Sequence, residues 1–233
     1  MRRFRSVVFV VFVLLLVSFQ SAAVGGNFIS TEQVDLVKLL APPSANDSAQ
    51  TKAELDELLD IQRRRTPQAE EAAVADADVS IFRFADILGP KFTPANLPVA
   101  VRFFERLQQD EKDIVSSSKK AWNRPRPFLL NSELKPCCQV RPDSPSYPSG
   151  HATFGQLNAV ILANMVPEKS KEIFDRGEQY GRNRMVCGVH FRSDVEAGKI
   201  GATVIAGFMM QNSVFQEEYA KARADVRKAL GYD

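Results

Sequence analysis

The chain has 233 residues, 30 of them Lys or Arg and 28 Asp or Glu, for a formal charge of +2. Three of those arginines, Arg2, Arg3 and Arg5, precede an unbroken apolar run at residues 7–17 and the small residues Ser21 and Ala23, the pattern of a cleavable signal peptide over residues 1–23. Its loss removes three positive charges and no acids, so +2 becomes −1, the basic balance belongs mostly to the leader, and it gives no argument for nucleic-acid binding.

An uncleaved anchor is the competing reading of the leader, but the apolar run is short for a bilayer crossing. The expectation is an exported protein, periplasmic or secreted. The most apolar later stretch, residues 200–210, is about half the length a bilayer needs, so no membrane attachment is expected after cleavage. The chain beyond the leader is long enough for one domain with a real core.

Residues 24–48 are mixed in character and end in the breaker cluster Ala41-Pro42-Pro43-Ser44, so they read as an extended arm over the surface. Residues 49–233 read as a single helical domain. From Ala49 the apolar residues Leu55, Leu58, Leu59 and Ile61 gather on one helical face. Thr66-Pro67 supplies a cap and a first-turn proline for a second helix, expected to carry Ala72, Val74, Val79, Phe82, Phe84 and Ile87 until Gly89-Pro90. Residues 98–109 and 110–122 read as two further helices. Residues 123–149 are rich in proline and without periodicity, a long loop of the kind that often carries function. Helices over 152–165, 167–180, 194–210 and 213–230 complete an all-α architecture, with no period-2 strand and no internal repeat.

Cys137, Cys138 and Cys187 are the only cysteines. In an oxidising compartment one bridge from Cys137 or Cys138 to Cys187 is expected, because vicinal cysteines are poorly placed to bridge each other. A metal site is the competing reading, but His and Cys at ligand spacing are too few to favour one, so neither a metal nor a cofactor is expected.

The two histidines, His151 and His190, stand in charged and glycine-bearing surroundings. His151 follows Tyr147-Pro148-Ser149-Gly150 at the start of a helical pattern, with Ser149 as a natural N-cap and Gly150 allowing a ligand close to the backbone. Free amides at such a terminus attract anions, phosphate above all; a plain capped helix start is the competing reading. Asp194 follows His190 by four residues, where a new helix begins. A carboxylate bonded to one ring nitrogen fixes the tautomer and leaves the other nitrogen free to attack, and the same carboxylate could cap the helix. Arg184, and further upstream Lys119 and Arg126, are cations of the kind that metal-free phosphoryl transfer requires.

Lys119 followed at fixed spacing by Arg126-Pro127, then Pro148-Ser149-Gly150-His151, then Arg184, His190 and Asp194 resemble the signature of the type 2 phosphatidic acid phosphatase superfamily, which also holds the vanadium haloperoxidases. The register is unambiguous: Arg124-Pro125 would require a lysine at Ser117, and Arg141-Pro142 one at Leu134. Within that superfamily the chain looks most like the class A bacterial nonspecific acid phosphatases, through Leu39-Leu40-Ala41-Pro42-Pro43, Cys187-Gly188 and Asn212-Ser213-Val214-Phe215-Gln216-Glu217. The resemblance implies a single-domain helical bundle, hydrolysis of small-molecule phosphomonoesters, phosphotransfer to other alcohols as a companion activity, and a homodimer. It implies His190 as the nucleophile that forms a phosphohistidine, Asp194 as its orienting partner and His151 as the acid and base. Lys119, Arg126 and Arg184 would grip the phosphate with the Ser149 hydroxyl and the Gly150 amide. One position departs from the superfamily pattern: Asn183 stands where serine is usual, which allows an altered substrate preference. A vanadium-dependent haloperoxidase is the alternative reading, weakened by the short chain and the lack of a third histidine.

Overall fold

The computed structural model describes residues 28–141 and 143–232; the expected signal peptide, and the first residues of the arm, lie outside them. All regular structure among the described residues is helical. Residues 28–48 contain one helical turn, α1 (Leu36–Leu39), capped by the Asp35 side chain. Phe28 and Ile29 are buried, and their amides donate to Asp110 Oδ2 at 2.7 and 3.2 Å. The Tyr147 hydroxyl donates to the Ala41 carbonyl at 2.5 Å, so this segment is tied into the molecule at two points.

Helix α2 (Ala49–Arg64) begins at Ser48, whose side chain accepts from the Thr51 amide, and α3 (Pro67–Ala75) begins at Thr66 with Pro67 in its first turn. The single helix expected from Thr66 to Gly89 is broken at Asp76. That residue turns its carboxylate inward onto Arg176 and Arg83, and the chain resumes as a 3₁₀ turn at Ile81–Phe84 leading into α4 (Ala85–Leu88). The opposite correction applies to α5 (Pro98–Trp122), one helix of 25 residues where two were expected. The polar stretch Gln108-Gln109-Asp110 interrupts the apolar pattern but contains no helix breaker. Its aspartate faces inward to receive the arm. The proline-rich loop holds one short helix, α6 (Pro127–Leu130).

Helices α7 (Gly150–Met165), α8 (Ser170–Val186), α9 (Arg192–Gln211) and α10 (Ser213–Leu230) form the rest of the bundle. Helix α7 is buried on nearly every side, as an apolar helix without a polar face must be, and packs against α5, α8 and α9. Helices α2 and α3 lie on α8, and α10 lies on α5 and α9. The α7–α8 crossing depends on glycine: a Cβ at Gly177 would sit 2.7 Å from that of Ala159. Likewise a Cβ at Gly198 would sit 2.6 Å from the Ser149 carbonyl oxygen, so its absence lets α9 close against the first turn of α7. The starts of α7 and α9 are thereby brought together beside the end of α5. No helix among the described residues is long and apolar enough to cross a membrane.

Candidate active site

The three distant stretches singled out in the sequence meet at this end of the bundle. The Ser149 amide donates to the Asp194 carbonyl at 2.9 Å, joining the α7 and α9 termini. Lys119, at the end of α5, donates to the carbonyls of Pro145 (2.7 Å) and Ser146 (3.1 Å). Arg126 donates from Nε to the Ser144 carbonyl at 2.8 Å and from Nη1 to the Val189 carbonyl at 2.9 Å. A cavity of about 440 Å³ lies between these segments, lined by Lys119, Arg126, Gly150, His151 and His190 among others. Ser149 is buried behind it as the N-cap of α7, its Oγ accepting from the Ala152 amide at 3.3 Å.

Helix α8 ends at Cys187, and Gly188, at φ 72°, turns the chain so that His190 enters the interior. His190 is 2% exposed and Asp194 is fully buried. Asp194 Oδ2 accepts from the Phe191 amide (2.9 Å), the Ser146 hydroxyl (2.5 Å) and His190 Nδ1 (3.2 Å), so it caps α9 and orients the imidazole at once. His190 Nε2 lies 2.7 Å from Arg126 Nη1. A guanidinium only donates, so Nε2 is the nitrogen with the lone pair and Nδ1 carries the proton given to Asp194.

Two residues that sequence reasoning passed over support this pair. Arg124 is buried, donates to Asp194 Oδ1 at 2.7 Å, lies over the Phe191 ring and pairs with Glu54 at 3.2 Å. Ser146 touches both Asp194 and His190. In the sequence Arg124-Pro125 served only to settle the register, and Ser146 is one of several serines in a loop; neither carries a local signal of its role.

Arg184 departs from its expected place. It is 1% exposed, with Nη2 on the Ala73 carbonyl and Nη1 3.7 Å from Cys138 Sγ, and it is not among the residues lining the cavity. Its Nε has no hydrogen-bond partner among the described residues. Asn183 donates to Asp76 Oδ2 at 2.8 Å, inside the ion-paired core and away from the cavity wall. The departure from serine therefore serves packing at this position. The structure joins Cys138 to Cys187, Cα atoms 5.5 Å apart, and leaves Cys137 Sγ 3.6 Å from Cys187 Sγ.

Residues 112–217, which carry Lys119, Arg124, Arg126, Ser146, Ser149, His151, Arg184, His190 and Asp194, match the PAP2 superfamily. The non-specific acid phosphatase of Salmonella typhi is 30% identical over 223 residues, covering 91% of this chain and 89% of its own. The chain belongs to the PAP2 superfamily. The acid phosphatase of Zymomonas mobilis subsp. mobilis is 32% identical over 205 residues, covering 84% of this chain and 76% of its own. A crystal structure described as the first bacterial vanadium-dependent iodoperoxidase shares the fold, with a TM-score of 0.57 at 20% identity over 74% of this chain. The chain spans about half of that structure's length, 52%.

The electrostatics of this PAP2 superfamily site come from crowding cations around one cavity. Burial, followed by the charge of Arg126, lowers the Lys119 ammonium to about 7. Burial lowers Arg126 to about 10, with Arg184 adding to the effect. His151 is brought down to about 4, first by burial and then by Arg184, while its Nε2 lies 3.1 Å from the Ala77 carbonyl. Burial, Arg126 and Lys119 hold His190 well below the ordinary imidazole range, as a neutral ring. In each of these shifts burial is the largest cause, and neighbouring positive charge adds to it.

Proposed function

We propose that the chain is an acid phosphatase that hydrolyses phosphomonoesters through a phosphohistidine at His190, without a metal. The observation that carries the reading is the group of cations without an ion pair among the described residues, Lys119 and Arg126 on the cavity and buried Arg184 behind its wall, beside an imidazole that lines the cavity and whose lone pair accepts from Arg126. Phosphate entering this site is held by Lys119, Arg126 and the Gly150 amide at the positive end of α7, while Arg184 contributes its charge from behind the wall. As Arg126 turns its Nη1 from His190 Nε2 to the phosphate oxygens, Nε2 attacks phosphorus in line, the bond to the alcohol oxygen breaks, and His151 gives that oxygen its proton. Asp194 stabilises the charge that develops on the His190 ring. Water, deprotonated by His151, then attacks phosphorus, releases phosphate and restores His190; another alcohol in place of water yields phosphotransfer.

The low value of His151 is consistent with this role. Its neighbours Arg184, Arg126 and Lys119 destabilise the imidazolium, and a phosphate dianion between them reverses the sign of the local field, so protonation follows substrate binding. Relatives that match most of the chain are named acid phosphatases, whereas the likeness to the peroxidase is one of fold. The reading includes export to the periplasm or the medium, a homodimer, activity that survives chelators, and inhibition by vanadate as a mimic of the five-coordinate transition state.

The deciding experiment is a rapid-quench reaction with a ³²P-labelled phosphomonoester. Wild-type protein should retain label that is stable to alkali and lost in acid, as a phosphoramidate requires. His190→Ala should retain none and turn over at least about 10³-fold more slowly. Near wild-type turnover by His190→Ala would overturn the assignment.

A further inference from the structure

The α5 wall of the cavity carries a second kind of chemistry. Gln108, Glu111, Val115, Ser116 and Lys119 recur at helical spacing and all line the same space. At 1.5 Å per residue Glu111 stands about 12 Å along the helix from Lys119. Lys119 and His190 mark the phosphate end, and Glu111 lines the same cavity about two helical turns away along α5.

Glu111 is 4% exposed, and its Oε1 has no hydrogen-bond partner among the described residues. A buried polar atom left unpartnered costs folding free energy that an apolar residue would not. Burial pushes its carboxyl up to about 8, against the opposing influence of Lys119 and Lys112. Arg126, His151 and His190 are the titratable or charged groups that line the cavity from the facing elements. In acid to neutral solution Glu111 is thus a neutral acid with one O–H to give and an oxygen to receive. Gln108 and Ser116 beside it are neutral and bifunctional too. The cavity therefore has one end formed by Lys119, Arg126 and the two histidines and another where Gln108, Glu111 and Ser116 offer neutral hydrogen-bonding groups beside the Lys112 side chain.

We infer that Glu111, with Gln108 and Ser116, reads the alcohol half of the substrate and selects phosphomonoesters of hydroxyl-bearing alcohols over those of purely apolar ones. This rests on the phosphatase reading above. A hydroxyl between Glu111 and Gln108 satisfies an atom otherwise orphaned, whereas an apolar group leaves it so. Such mismatches separate substrates more sharply than size does.

The test compares kcat/KM for glycerol phosphate with that for phenyl phosphate, at one mildly acidic pH, in wild type, Glu111→Gln, Glu111→Leu and Gln108→Leu. Glu111→Leu should lower the glycerol-to-phenyl ratio about tenfold, the value of one hydrogen bond. Glu111→Gln should hold the ratio within about threefold, and Gln108→Leu should lower it in the same direction as Glu111→Leu, deciding the matter if Glu111→Leu does not fold. An unchanged ratio in both leucine variants, or equal losses on both substrates, would overturn the inference while leaving the phosphatase reading intact. Wild type that hydrolyses neither ester would sink the phosphatase reading and this inference with it.

Discussion

Two buried clusters of positive charge lie within one helical bundle, and they are built on opposite terms. In the first, Arg176 grips Asp76 with both terminal nitrogens at 2.9 and 2.6 Å, and Arg83 and Asn183 complete the carboxylate's shell at 3.0 and 2.8 Å. Burial opposes the charged form of Asp76, but Arg176, Arg83 and Asn183 outweigh it and hold the carboxyl below its ordinary range. In the second, the partners of Lys119, Arg126 and Arg184 among the described residues are carbonyl oxygens, the Ser144 hydroxyl, a sulfur and an imidazole. A buried charge with its counterion is architecture. A buried charge without one is held in place by the surrounding fold and is relieved only when an anion arrives.

Arginine replacement should separate the two clusters most strongly. Arg176→Met strands the Asp76 carboxylate and should cost about 3–5 kcal/mol in a urea denaturation series, with activity per folded molecule largely kept. Arg126→Met removes an unpaired cation and should change stability by less than about 1 kcal/mol while kcat/KM collapses. Equal stability losses in the two variants would erase the distinction.

The next effect is that of an added anion. Phosphate or vanadate at about 100 times its Kd should raise the unfolding free energy by about 2.7 kcal/mol in wild type and far less in Arg126→Met. The same addition should move the His151 titration, followed by NMR, upward from its low value, since the anion offsets Arg184, Arg126 and Lys119. A downward or absent shift would contradict the role given to those cations.

The smallest effect concerns Glu111, the one acid that lines the cationic cavity among the described residues. Its carboxyl titrates near 8 when folded and near 4.5 when free, so its contribution to stability is full below about 4.5 and is lost as pH rises toward 8. Glu111→Gln removes that loss. Its melting temperature should pull ahead of wild type with rising pH across this window, by on the order of 2–4 °C for each kcal/mol recovered. A constant offset would show that the carboxyl is already ionised in the folded protein.

Legibility in the sequence varied with the range of the interactions concerned. Thr66 and Ser149 were open to reading because a cap bonds within three residues of itself. The pairing of His190 with Asp194 was equally local, four residues apart across the start of α9. The break at Asp76 was not visible, since its cause is Arg176, a hundred residues away. The continuity of α5 was missed for a similar reason: Asp110 looks like a surface residue until the arm is seen to hydrogen-bond to it. Arg184 and Arg124 exchange places in the same way. The one expected at the phosphate is turned toward Ala73 and Cys138, and the one set aside as a register alternative supports Asp194.

By itself, then, the sequence determined the helical class, the caps, and the inventory of imidazoles, cations and a carboxylate at spacings that suit phosphoryl transfer. Those features depend on periodicity and on neighbours a turn away. Only the tertiary structure decided which charges would find a counterion and which would face the cavity. Arg176 and Arg126 are the same residue type, and nothing within several positions of either announces its partner. The difference arises where the end of α3 packs on α8 and brings Asp76 to Arg176, while among the described residues no carboxylate comes within ion-pair distance of Arg126.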